Sequence, residues 1–207
     1  MSQDLVELIQ SLKAQAKEPG DLRDTLERVA LTAQKYFKAD LCVIFPKNPI
    51  TRMFLREKPT LIGKLTKTKL EDFLTPRETG LTNRVLSEKI LLVEERAIQD
   101  FQSPITEIEQ IRSFVAFALF TRRLQRPLAV MYLDYKKARS FDGKFQSDLV
   151  RFIELASAEL QNTWFVRRYR EITKIGQDIN ENVEDIEQMF DKVSEHMKGI
   201  LDVSFYF

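Results

Sequence analysis

The 207-residue chain has a single cysteine, Cys42, and a single histidine, His196. That scarcity excludes a disulfide framework, a Cys-x-x-Cys metal site and any metal centre built from several Cys or His ligands, so neither metal nor cofactor is expected. Only six glycines are present, and none falls into a Gly-rich loop of the kind that cradles phosphate. An excess of either charge is missing too: 32 Lys+Arg against 31 Asp+Glu leave a net charge of +1. No global field therefore draws the protein to nucleic acid or to an anionic membrane, and any such contact has to be local. The stretch from Ser113 to Thr121 is about half the length of a bilayer-spanning helix, so membrane insertion is not expected. Asp4 and Glu7 stand where a signal peptide carries its basic residues, which predicts a cytoplasmic address.

What is present is core-forming material. Apolar residues make up 43% of the chain, with fifteen Phe, enough for a sizeable core and too much for intrinsic disorder. Leu5, Leu8, Ile9 and Leu12 recur at helical steps until Pro19-Gly20 stops them, and Asp21 then offers an N-cap to a second helix with Leu22, Leu26, Val29, Ala30, Ala33 and Phe37 on one face. The run Leu41 to Phe45, cut by Pro46, predicts an interior strand. Segment 46–80 is punctuated by prolines, with edge-type strands expected at Ile50 to Glu57 and Leu61 to Leu65. Gly80 opens a short helix, Ile90 to Val93 reads as a strand, and Ile98, Phe101, Ile105, Ile108 and Ile111 space themselves helically. Phe114 to Phe120 and Leu128 to Asp134, joined by a polar turn, predict a central antiparallel hairpin covered on both faces. From Phe145 the helical period returns through Leu149, Phe152, Ile153, Ala156 and Leu160. The predicted class is α+β, a central and mostly antiparallel sheet with flanking helices.

Beyond Trp164 the pattern changes. Phe165, Ile172, Ile179, Ile186, Val193 and Ile200 recur at a seven-residue interval, with Ile175 and Met189 at the complementary position. β-Branched residues at one heptad position favour two parallel strands, so Phe165, Ile172, Ile175, Ile179 and Ile186 are the expected seam of a homodimeric coiled coil. Arg168, Asn182 and His196 interrupt it, and either weaken the seam or set its register. There is also a partial internal repeat. The apolar spacing of Leu22 to Val29 returns at Ile186 to Val193, and Asp40 to Phe45 has an echo in Asp202 to Phe207. Coincidence between amphipathic helices remains open, but the repeat predicts a longer protein cut just inside a second copy of one domain.

Several strings in order resemble a GAF domain, a ligand-sensing relative of PAS found in signalling proteins, including two-component systems. They are Glu78-Thr-Gly80-Leu-Thr-Asn-Arg-Val85-Leu, Ile90-Leu-Leu-Val93, Ile111-Arg-Ser113-Phe-Val-Ala-Phe-Ala-Leu119, Leu128-Ala-Val-Met-Tyr-Leu-Asp134 and Arg139-Ser-Phe141-Asp-Gly. One departure is Pro127-Leu128-Ala129, where such domains commonly have Gly. The resemblance divides the chain into an N-terminal dimerisation helix (1–19), a GAF-like domain (20–163), a linker helix (164–185) and the start of a second domain (186–207). It implies a pocket between the sheet and the covering segment with Ile98, Phe101, Ile105 and Ile108. Strand alternation puts Phe114, Ala116 and Ala118 on one face and Val115, Phe117 and Leu119 on the other. The two alanines make the first face roomier, so the ligand is placed there, with Tyr132, Ser113 and Arg112 as its polar contacts.

The chemistry of other GAF-like proteins is largely absent. Bilin-binding relatives attach chromophore through a Cys often followed by His, whereas Cys42 lies in an apolar strand before Val43. Reduction of methionine sulfoxide in the resembling branch uses several cysteines, and one cannot close a disulfide cycle. His196 is far along the chain from the domain, and the dispersed Asn-Lys-Phe-Asp-Glu signature of cyclic-nucleotide binders is not found. Asp134, Asp142, Glu94 and Glu95 are read as strand-end and turn carboxylates that cap or solvate, and no nucleophile–base set exists. Arg122, Arg123 and Arg126 in the hairpin turn, and Arg167, Arg168 and Arg170 further on, are read as solvated, with a grip on phosphate as the alternative. The sequence thus predicts a non-catalytic sensory module that binds a small molecule, dimerises and relays a signal to a downstream output domain in the same chain. A dimerisation scaffold whose pocket is filled by its own side chains is the alternative.

Overall fold

The computed structural model describes residues 20–55, 59–66, 76, 80–101, 104–181, 190–195 and 197. The expected N-terminal helix at 1–19, Ile186 of the seam and nearly all of the expected second domain lie outside the described residues.

Helix α1 (Leu22–Phe37) starts where the Asp21 carboxylate accepts a hydrogen bond from the Asp24 amide at 3.1 Å and ends at Lys38, whose φ of 52° cannot continue a helix. The predicted stripe from Leu22 to Phe37 is buried. Five strands follow: β1 (Leu41–Pro46), β2 (Thr60–Gly63), β3 (Ile90–Val93), β4 (Ser113–Phe120) and β5 (Pro127–Tyr135). They form one sheet in the order β2-β1-β5-β4-β3 with every pairing antiparallel. β5, apolar on both sides, is the middle strand, and the β4–β5 hairpin pairs Ala116 with Tyr132 and Phe114 with Asp134. The register shifts at Leu119/Phe120, opposite Pro127. Proline has no N–H to donate to the ladder, so the Gly-to-Pro departure coincides with a bulge. At the other edge Gly63 has φ +111°, and a Cβ there would run into the Asp40 carbonyl, so glycine is required.

One correction concerns the segment after β1. Ile50 to Glu57 was expected as an edge strand, but residues 50 and 51 turn: the Asn48 Oδ1 accepts from the amides of Ile50 at 2.8 Å and Thr51 at 3.3 Å. A local side-chain acceptor competes with the sheet here. Among the described residues only the isolated bridge Lys47–Phe54 remains of the expected strand; residues 56 and 57 lie outside them. The second expected strand, Leu61 to Leu65, is β2, which starts one residue earlier and ends two residues earlier than expected.

Alternation along the hairpin sorts two cores. Val115, Phe117, Leu119, Met131 and Leu133 join α1 and the long helix α4 (Gly143–Glu181) on one face. Phe114, Ala116, Ala118 and Val130 face α2 (Leu81–Glu88) and the 3-10 helix Glu95–Phe101 on the other. The short helix α3 (Pro104–Ile108) completes the second layer's connection to β4. Asp142 caps α4 by accepting from the Phe145 amide at 2.7 Å. Leu149, Phe152, Ala156 and Leu160 are buried as predicted, and the helix runs unbroken across the expected boundary at 163–164. Thr25 and Thr163 hydroxyls meet at 3.0 Å between α1 and α4, and Arg28 bridges Asp24 at 2.9 Å and Glu159 at 3.5 Å.

Candidate functional site

Three regions hold the residues singled out by the sequence. The first is the sheet face under α2. Phe114, Ala116 and Ala118 lie there together, as alternation predicts, and all three are buried. Tyr132 shares the face, and its hydroxyl meets the Thr82 Oγ1 of α2 at 2.9 Å. Burial pushes the Tyr132 phenol well above its ordinary range, so it stays a neutral hydrogen-bonding group. Phe101 and Tyr132 flank Phe114 with ring centroids 6.2 and 6.3 Å away. Ile98 and Phe101 pack on this face, whereas Ile108 is exposed because Glu109 and Ile111 take the inward positions after α3. The two remaining polar candidates are not brought to the face. Ser113 has the parity of Val115, and its hydroxyl donates to the Lys137 carbonyl at 3.2 Å. Arg112 is exposed and paired with Glu95 at 2.7 Å.

Two carboxylates near this region have surroundings that the sequence does not signal. Asp134, expected as a solvated strand-end group, is buried, because β5 continues to Tyr135 and is paired there with β1 and β4. Burial pushes its carboxyl up to about 7. The same burial, with Asp134 as a lesser contributor, holds the Cys42 thiol far above its ordinary value, so Cys42 is a neutral, fully enclosed side chain. Glu109 is also buried, and it accepts from the Thr66 amide at 2.9 Å, the Thr66 hydroxyl at 2.6 Å and the Lys136 ammonium at 3.1 Å. It thereby ties the chain beyond β2 to the start of β4. Nothing in a lone Glu between Ile108 and Gln110 signals that role.

The second region is the far half of α4. Phe165, Ile172 and Ile179 are 61%, 51% and 37% exposed, with Tyr169 also open and Ile175 half-buried. They lie one heptad apart on a helix whose preceding turns are in the core.

The third region was not anticipated. A cavity of about 400 Å³ opens between the β4–β5 turn and the middle of α4. Its apolar walls come from Ile50, Leu124, Leu128, Trp164 and Phe165. Arg123 and Arg126 of the turn meet Arg167 and Arg168 of the helix around it, with Glu171 the single carboxylate. Two bonds pin the turn to the helix: the Phe120 amide to Ser157 Oγ at 3.3 Å and the Arg122 amide to Gln161 Oε1 at 2.9 Å. Two arginine clusters about forty residues apart in sequence, each read as solvated, share one concavity, a relation only the fold supplies.

Among the described residues there is no group of three or more His, Cys, Asp or Glu able to hold a metal ion, and no helix is long and apolar enough to cross a membrane.

No protein-family model matches the sequence, and no curated protein matches it. Solved structures do. The GAF domain of an Acinetobacter phosphoenolpyruvate-protein phosphotransferase superposes with a TM-score of 0.57 at 19% identity, over 80% of this chain and 98% of that chain. Free methionine-R-sulfoxide reductase from Neisseria meningitidis, solved with its substrate, gives 0.57 at 14% identity over 79% and 93%. A segment of a methyl-accepting chemotaxis protein gives 0.57 at 13% identity over 77% and 98%. The chain has a GAF fold, an α+β architecture with a five-stranded antiparallel sheet and flanking helices.

Proposed function

We propose that the chain is a non-catalytic sensory or regulatory GAF module that dimerises in parallel through α4 and relays a conformational bias along it to an output domain in the same chain. One observation carries the reading. α4 is a single helix whose first half is the core of the domain and whose second half presents Phe165, Ile172 and Ile179 to solvent at heptad spacing. A rigid element shared between a packed domain and an apolar seam couples the two, because repacking at one end shifts which seam arrangement is favoured. The resemblance in fold to a domain of a phosphotransferase and to a segment of a chemotaxis protein supports the regulatory class. Arg168 at the complementary heptad position weakens the seam, which suits a relay better than a permanent clamp.

Within this reading a small, largely apolar or planar ligand takes the face of Phe114, Ala116 and Ala118, oriented by Tyr132 and Thr82. A scaffold that senses nothing is the second reading, and one observation favours it: the Phe101, Phe114 and Tyr132 rings already occupy that face. The dimer is tested by sedimentation of the chain and of an Ile172→Asp/Ile179→Asp variant. We expect the first to sediment as a dimer and the second as a monomer; a monomer in both removes the relay.

A further inference from the structure

We propose that the cavity between the β4–β5 turn and α4 binds an amphipathic organic anion, a ligand with a flat or aliphatic body and one carboxylate, sulfonate or phosphate group. The argument is independent of the face under α2, since the cavity lies on the helical side of the sheet, at the hairpin end; two of its wall residues, Phe165 and Arg168, also stand on the proposed seam. Its volume of about 400 Å³ falls within the span of roughly 300–1,000 Å³ usual for small-molecule sites. Leu128, 1% exposed, and Trp164 belong to the main core or pack on it, so the apolar wall is fixed in place. The two backbone bonds to Ser157 and Gln161 hold the turn that faces it.

The polar complement of the site is one-sided. Four arginines stand against one glutamate. No ion pair joins any of the four to a carboxylate among the described residues: Arg126 donates to the Pro49 carbonyl at 3.4 Å and Arg167 lies over the Trp164 ring at 5.6 Å. Among the described residues the Trp164 Nε1–H is buried without a hydrogen-bond partner, on a side chain that forms part of the cavity wall. Cationic donors with no carboxylate paired to them among the described residues, set beside an apolar wall, select a ligand that brings oxygen acceptors and negative charge to one end of an apolar body.

The test uses 8-anilinonaphthalene-1-sulfonate and its uncharged analogue N-phenyl-1-naphthylamine, titrated into the intact chain and read by calorimetry and by quenching of Trp164, the single tryptophan. We expect one sulfonate per chain, bound about tenfold or more tightly than the amine, the ratio that one charge-assisted contact supplies. Arg123→Gln together with Arg167→Gln should weaken the sulfonate about tenfold and leave the amine within about twofold, retained amine binding showing that the cavity is intact. Ala116→Phe on the opposite face should change neither. Equal affinities for the two probes, sulfonate binding indifferent to the arginine pair, or sulfonate affinity that falls as chain concentration rises because a second copy fills the groove would each overturn the proposal.

Discussion

The two halves of α4 have similar apolar spacing and opposite surroundings. Leu149, Phe152, Ala156 and Leu160 are enclosed by α1 and the sheet, with Phe152 in ring contact with Phe37 and Phe117 at 5.6 and 6.1 Å. Phe165, Ile172 and Ile179 continue the helix and stay 61%, 51% and 37% exposed, Phe165 at the rim of the cavity beside the hairpin turn. Helical stability in water comes mainly from packing an apolar face, and isolated segments of this length are marginal. The first half is therefore held by the fold and the second by whatever covers it, at roughly 1.5–3 kcal/mol for each large apolar side chain fully buried.

The largest expected effect separates the halves most sharply. Phe152→Ala should cost about 3–5 kcal/mol of domain stability through lost burial and a cavity, whereas Phe165→Ala should cost less than about 1 kcal/mol at concentrations where the chain is monomeric. Denaturant unfolding of both variants checks it, and equal losses would mean that the far half packs on its own domain.

A second perturbation acts on the sheet beneath the first half. The Asp134 carboxyl titrates near 7 when folded and near 4 in an unfolded chain. Between those values the folded state holds a proton that the unfolded state has lost, so stability falls as pH rises through the window. The loss is complete above about 7 and absent below about 4, where both states are protonated. Asp134→Asn should remove this dependence, gaining about 2–4 kcal/mol on the wild type between pH 4 and pH 8. Thermal unfolding across that range decides it, and parallel curves for the two proteins would contradict the burial argument.

A smaller effect distinguishes sensor from scaffold. Ala116→Phe should cost about 1–3 kcal/mol if the face under α2 is already packed, by overfilling it. A variant as stable as the wild type would instead indicate open space there and favour ligand sensing.

Much of this was legible in the sequence because the evidence is periodic and local. The stripe from Leu22 to Phe37, the alternation of Phe114, Ala116 and Ala118 against Val115, Phe117 and Leu119, and the helix from Phe145 each follow from spacing alone, and the ordered GAF-like strings agree with the fold. What was missed depends on partners distant in sequence. Ile50 to Glu57 has strand-like composition, yet Asn48 bends its start. Asp134 looks like a strand-end carboxylate until β1 and β4 are placed on either side of it. Glu109 gains its meaning from Thr66 and Lys136, and the two arginine clusters meet only when the hairpin turn docks on α4.

The central claim is that the far half of α4 is a parallel seam. Single spin labels at Arg170→Cys and Gln177→Cys, one heptad apart on α4 and placed in a Cys42→Ser background, test it by dipolar distance measurement. A parallel two-stranded seam places each label opposite its own copy, so both positions should give the same intermolecular distance, lost together in Ile172→Asp/Ile179→Asp. No intermolecular distance, or distances that diverge between the two positions, would contradict the account.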